Sequence, residues 1–217
     1  AAGERTNSRT VTLNLGRDAD VTGVAFGNSA LDCATASYES WPASNTKVWT
    51  LPAGDGSKVV VVCFRDAPGN ASMASATTLL DMSPPIATAN PAVRINAGAS
   101  HATSVDVTLS FRVSGADTMR VSCDDVLDAE PSQPFVPELS CNLNPTQGVR
   151  TVTAVFSDLA GNVLGPVTAT ITLDTMLPPV PVPAVVPSPT QLVTPLLSWE
   201  SGGGDTAQYR VQIASNT

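Results

Sequence analysis

The chain carries a single histidine, His101, set in a Ser/Ala/Thr-rich lead-in to a strand-like run. A catalytic base needs a positioned nucleophile and an orienting acid, and no Gly-x-Ser-x-Gly elbow supplies the first of these. Basic residues are scarce as well: Lys and Arg total 11 against 19 acids, a net charge of −8. That balance excludes a phosphate-neutralising surface, so neither nucleic acid nor an anionic membrane surface is expected as a partner. No apolar run reaches about 18 residues, which excludes membrane insertion as a helix. Cys-x-x-Cys spacing is absent, which argues against zinc and dithiol-redox motifs, and so is the EF-hand spacing. The carboxylates fall in turn-like stretches without the apolar pocket pattern of a hydrolytic pair. A non-enzyme is the expectation.

What the chain does contain is a repeat. VVVVCFRDAPGNASMASATTLLD, from Val59 to Asp81, returns as TVTAVFSDLAGNVLGPVTATITLD, from Thr151 to Asp174. Each copy has a β-branched run ending in Phe, then an Asp-x-x-Gly-Asn turn, then a second Thr/Val-rich run closing on Leu-Asp, with a Pro pair shortly after. Branched Cβ atoms fit a pleated strand, and Gly69-Asn70 and Gly161-Asn162 tolerate positive φ, so each copy reads as a hairpin. Asp66 and Asp158 are the residues whose carboxylates accept turn amides. The unbroken apolar stretch from Val59 to Cys63 predicts a strand covered on both faces, whereas the alternation in TVTAVF predicts one wet face.

The period of roughly ninety residues divides the chain into modules 1–83 and 84–179 and a remainder 180–217. Val11-Thr12-Leu13 matches Val107-Thr108-Leu109 as the second strand of each module, and Arg5 stands where His101 does. The second module has a first strand before that point, Pro91 to Asn96 (PAVRIN). The first module has no counterpart, and its first strand is expected upstream in a longer parent. A third strand places Phe26 and Val121 inward. Polar excursions follow, TASYESWPASN and DDVLDAEPSQPFVPE, which read as loops with at most one short strand each, anchored by Trp41 and Phe135. KVWTL then matches ELSCNL, so Trp49 falls where Cys141 stands. Six or seven such strands per unit predict an all-β fold of tandem immunoglobulin-like sandwiches with Greek-key connections, a small barrel being the alternative.

Four cysteines fall as one pair per repeat, Cys33 with Cys63 and Cys123 with Cys141. Bridges within repeats are the reading the parity favours; four buried thiols are the other, and three connectivities are open. Bridges place the chain in an oxidising compartment, extracellular or at the cell surface.

WTLPAGDGSKVVVVCFRDAPGNASMASATTLLDMSPP resembles the bacterial Ig-like repeats of large surface proteins, in its W-x-L, Gly-Asp-Gly, F-x-D-x-x-G-N and L-D-x-x-P-P elements. The second module keeps FSDLAGN and ITLDTMLPP but lacks the tryptophan and the Gly-Asp-Gly. After the proline-rich VPVPAVVPSPTQ, the runs LLSWE and YRVQIA resemble two strands of a fibronectin type III domain. The resemblance implies a stalk, adhesin or secreted multi-domain protein, with neighbouring modules of the parent chain as partners and no enzyme activity.

Three candidate sites follow. In a head-to-tail array Asp55 and Asp81 of one module face Asp117 and Asp158 of the next, a convergence of oxygens suited to calcium; solvated turn aspartates are the alternative. Asp124, Asp125, Asp128 and Glu130 form an acidic loop. Tyr38, Trp41 and Phe135 are the loop aromatics that a carbohydrate- or protein-binding module would present to a glycan or surface protein. Against a structural spacer or adhesive scaffold, that module is the first alternative. A filament subunit completed by strand donation is the second.

Overall fold

Sequence patterning and structure meet first in the two long hairpins. The computed structural model describes residues 4–184, 198–201, 208, 210 and 211. Ala1–Leu173 form one compact unit and Asp174–Thr217 another. The first unit is built from strands and one 3-10 turn, Asn96–Gly98, and among the described residues no helix is long and apolar enough to cross a membrane.

Seven strands come first: β1 (Arg5–Thr6), β2 (Thr10–Asn14), β3 (Val21–Asn28), β4 (Glu39–Ser40), β5 (Thr46–Thr50), β6 (Gly56–Asp66) and β7 (Ala71–Leu80). They form a five-stranded sheet, β1-β7-β6-β3-β4, opposed by the pair β2-β5. Ten more follow: β8 (Ile86–Ala87), β9 (Val93–Ile95), β10 (His101–Ala102), β11 (Asp106–Phe111), β12 (Val113–Ser114), β13 (Thr118–Ser122), β14 (Gln133–Pro134), β15 (Glu138–Asn142), β16 (Gly148–Ser157) and β17 (Val163–Leu173). Their five-stranded sheet runs β10-β17-β16-β13-β14, the same order as the first, and opposes a three-stranded sheet, β15-β11-β9. In the second unit β18 (Val182–Pro183) pairs antiparallel with β19 (Trp199–Glu200). The rest of LLSWE, and the YRVQIA strand, lie outside the described residues apart from Arg210 and Val211.

Each sandwich has its own core. The first gathers Val24, Leu51, Val60 and Val62, with Phe26, Trp41, Trp49 and Phe64 packed against them. The second, larger core is centred on Leu109, Met119, Leu143, Val152, Phe156 and Leu173. On β16 the residues Val152, Ala154 and Phe156 are buried while their neighbours stay half-exposed, as alternation requires. On β6, Val60 to Cys63 are all buried. Val60 and Val62 face the core, and the excursion after β3 covers the other face, fastened by the Cys33–Cys63 bridge, Cα to Cα 5.5 Å. That excursion lies so close to β3 that a Cβ on Gly27 would meet the Leu31 Cβ at 3.2 Å.

Corresponding strand registers occur in the two sandwiches. Val11 faces Trp49 on β5, and Val107 faces Cys141 on β15. On the other sheet Phe26 opposes Val62 and Val121 opposes Ala154, so two residues further on Asn28 corresponds to Cys123. Consequently the two sandwiches tie their sheets at the same place by different means. In the second, Cys123 bonds Cys141, Cα to Cα 6.1 Å. In the first, the Trp49 Nε1–H donates to Asn28 Oδ1 at 2.7 Å, and the indole packs on Phe26 with ring centroids 5.6 Å apart.

Candidate functional site at the junction of the sandwiches

Both Asp-x-x-Gly-Asn turns are closed by the carboxylate of their own aspartate. Asp66 Oδ1 accepts the N–H groups of Gly69 (2.8 Å) and Asn70 (2.7 Å), and its Oδ2 accepts the Asn70 side-chain amide at 2.7 Å. Asp158 repeats this with Ala160 and Asn162, both at 2.9 Å, and with the Asn162 side chain at 2.8 Å. Gly69 and Gly161 take φ of 104° and 90°, a region open to glycine and costly for a side chain. The Asn70 side-chain amide holds the Asp66 carboxyl below its usual value of 3.8, with turn amides adding to the effect. For Asp158, burial works upward but is outweighed by the Asn162 side chain and the turn amides, and the net shift is also down.

Carboxylates with lowered folded pKa values contribute stability that is complete above the unfolded value and is lost as pH falls through the folded one. Melting temperature is therefore expected to be level near neutrality and to fall below about pH 4. Asp66→Asn should lower it at pH 7 and make the acid limb shallower. An unchanged acid limb in that variant, followed by circular dichroism, would remove Asp66 from the account.

The second of these turns also holds the first sandwich. The Asn162 Nδ2 donates to the Asp81 carbonyl at 2.8 Å, and the Gly161 Cβ position lies 3.6 Å from the Asn7 Nδ2. Asp117 supports the turn from the side, its Oδ2 accepting the Leu159 N–H at 3.0 Å. From the first sandwich, Asp55 accepts the Met82 N–H at 2.9 Å and the Ser83 hydroxyl at 2.6 Å; the Ser83 contact is the main reason its pKa is lowered. Pro85 is buried, its Cα 3.7 Å from where a Gly115 Cβ would stand, and β8 pairs with β12. The linker is thus bonded by one sandwich up to Ser83 and incorporated in the other from Pro85.

Asp55 and Asp117 are thus engaged by linker and turn groups, Asp158 closes its own turn, and the Asp81 Oδ1 accepts the Ser83 N–H at 3.2 Å. They do not form a cation cage: among the described residues no group of three or more His, Cys, Asp or Glu side chains could hold a metal ion. The acidic loop is likewise spent locally. Asp125 pairs with Arg150 at 2.8 Å and accepts the Thr151 N–H, Asp124 accepts the Ser122 hydroxyl, and Arg120 holds the Asp128 and Glu130 carbonyls. Asp124 is lowered mainly by that hydroxyl.

The loop aromatics Tyr38, Trp41 and Phe135 are half-buried and have partners within the fold. Trp41 is half-buried beside Phe64, its Nε1–H on Asn45 Oδ1 at 2.7 Å and Arg17 over its ring. Phe135 meets Phe156 edge to face at 5.9 Å. Tyr38 is half-buried, its hydroxyl donating to the Cys33 carbonyl at 2.9 Å with Arg65 4.0 Å above its ring. Trp41 and Phe135 thus hold their loops as the sequence leads one to expect. His101 is exposed on β10, its Nδ1 2.9 Å from the hydroxyl of its neighbour Ser100.

No family model and no curated protein matches the chain. Among solved structures it is similar to the fibronectin(III)-like modules of Clostridium thermocellum CbhA, at 17% identity and a TM-score of 0.50, over 79% of this chain and 90% of that one. It also matches a biofilm-associated protein BSP domain (14% identity, TM-score 0.28, 82% of this chain and 30% of that chain). A third match is a Bacteroides ovatus mixed-linkage glucan utilization locus protein, SGBP-B, in complex with a mixed-linkage heptasaccharide (16% identity, TM-score 0.24, 79% and 42%). The first of these establishes the fold, an all-β arrangement of fibronectin III-like sandwiches.

Proposed function

We propose that the chain is a non-catalytic spacer or scaffold segment of a bacterial extracellular multi-domain protein, built from modules 1–83 and 84–179 and a remainder 180–217. The junction carries this reading. A connector that is bonded from both sides leaves few free dihedrals, so the two sandwiches transmit direction as well as separation. Two intramodule disulfides suit an oxidising, extracellular setting. The engagement of the junction and loop acids in local hydrogen bonds, and the seating of the loop aromatics against the cores, support a mechanical role over chemistry or glycan contact.

The test is small-angle scattering on the 217-residue chain and on Asn162→Ala, which removes both the turn bond to Asp158 and the bond to the Asp81 carbonyl. The variant is expected to broaden the distribution of maximum dimension, with a loss of about 1 kcal/mol from the lost hydrogen bonds. Calcium at millimolar concentration is expected to leave both melting and dimension unchanged relative to chelator. Identical scattering from parent and variant would remove the junction as the source of stiffness.

A further inference from the structure

In the second sandwich β11 is paired on both edges, with β15 on one side and β9 on the other. In the first, its equivalent β2 has one partner among the described residues, β5. The consequence is visible in burial. Val107, Leu109 and Phe111 are 4%, 0% and 5% exposed, whereas the matching Val11, Leu13 and Leu15 are only half-buried. Where β9 would lie, the first sandwich has an open cavity of about 300 Å³, lined by Val11, Leu13, Leu51, Val60, Val62 and Thr78 among others.

The backbone is turned the same way. The Leu15 N–H donates to the Asn45 carbonyl, as Phe111 does to Pro137, so strand alternation turns the peptide groups of Asn14 and Thr12 toward the cavity. In the second sandwich the corresponding edge is satisfied in a specific manner. Arg112 N–H donates to the Ala92 carbonyl at 2.8 Å, and Thr108 N–H donates to Asn96 Oδ1 at 2.9 Å. Val93 and Ile95, at 1% and 2% exposure, fill the core between these bonds, opposite Phe111 and Leu109.

We propose that this groove is an acceptor for one extended polypeptide segment from outside Ala1–Thr217, of the pattern apolar, any residue, apolar, asparagine. It adds antiparallel to β2. Its two apolar side chains enter the cavity opposite Leu15 and Leu13, its middle residue faces solvent, and its asparagine takes the Thr12 N–H. An edge strand beside an uncovered apolar face is the arrangement that strand addition completes, with main-chain bonds giving affinity and alternate side chains giving specificity. The proposal is independent of the spacer reading, since scattering tests the junction and peptide binding tests the edge.

The test uses the 217-residue chain and a labelled peptide copying residues 89–98. Binding by fluorescence anisotropy is expected, with at least roughly tenfold slower amide exchange at Thr12, Asn14 and Gly16. The same peptide carrying V93D and I95D should bind on the order of a hundredfold more weakly, because neither carboxylate can enter the core. On the acceptor side Asn14→Pro deletes one groove-facing N–H at an edge position that tolerates proline. It should abolish binding while disulfide mapping and melting stay as in the parent. Equal binding of the two peptides, no binding of either, or slowed exchange confined to the second sandwich would overturn the proposal. So would protection of Thr12 and Asn14 in a concentration-dependent dimer without peptide, which would identify a second copy as the occupant.

Discussion

Replacing Phe156 by alanine is expected to cost about 3–5 kcal/mol, a large fraction of the stability of a domain this size. The ring is fully buried at the end of β16, and it sits between Phe111 at 5.5 Å and Phe135 at 5.9 Å, each edge to face at 71°. Its removal leaves a cavity between the two sheets and also frees the anchor of the excursion that ends at Phe135. The loss should therefore exceed the burial of one ring, since edge-to-face pairs add about 0.5–1.5 kcal/mol each beyond area. Phe156→Leu, which keeps most of the volume and neither ring contact, should fall between parent and alanine. Chemical denaturation of the three proteins provides the comparison. A cost below about 1 kcal/mol for the alanine variant would mean that the core collapses onto the vacancy.

The second large effect is expected from the bridge that ties the sheets of the second sandwich. Cys123→Ser with Cys141→Ser opens a loop of 18 residues, and unfolded-chain entropy gives about 3 kcal/mol for that loop. The Cys33–Cys63 loop, 30 residues, is expected to give a similar figure by the same entropic account. The two differ in what remains folded. Loss of Cys33–Cys63 releases an excursion from the outer face of β6, so hydrogen exchange should rise at Val61 and Cys63 while the core stays protected. Loss of Cys123–Cys141 loosens the two sheets from each other, so exchange should rise on β13 and β15 together. Equal exchange profiles in the two double variants would contradict the separate roles assigned to the bridges. The first sandwich provides an internal comparison, because Trp49 and Asn28 hold the corresponding place with an indole N–H bond and ring packing.

Much of this architecture is legible in the sequence because it is local. Branched runs, positive-φ turn residues and alternation act over a few residues, so both long hairpins, β9, β11, β15 and the short strands of the excursions could be read directly. The pairing of Trp49 with the position of Cys141 follows from aligning the repeats. Other features depend on partners far away. The parallel ladders of β1 on β7 and β10 on β17 involve two residues each, too few to show a period. The pairing of β8 with β12 is hidden because the linker looks like a proline-rich spacer, and only the second sandwich gives it an edge. At the junction the partners of two of the aspartates are also distant in sequence. The Asp55 carboxylate accepts from Met82 and Ser83 and that of Asp117 from Leu159, partners 27 to 42 residues away in the chain, which sequence spacing does not show.

The bridges also set how far the molecule can lengthen under load. When a sandwich is pulled open, every residue outside a closed loop adds roughly 3.3–3.6 Å to the reach of the chain. Cys33–Cys63 holds 30 residues out of that extension, roughly 100 Å, and Cys123–Cys141 holds out 18, roughly 60 Å. An oxidised chain therefore has a shorter leash than a reduced one, and the difference falls unequally on its two halves. The first half, whose sheets are joined by an indole hydrogen bond, can part and re-form that join without any change of oxidation state. In the second half, tension reaches a covalent stop at the same position.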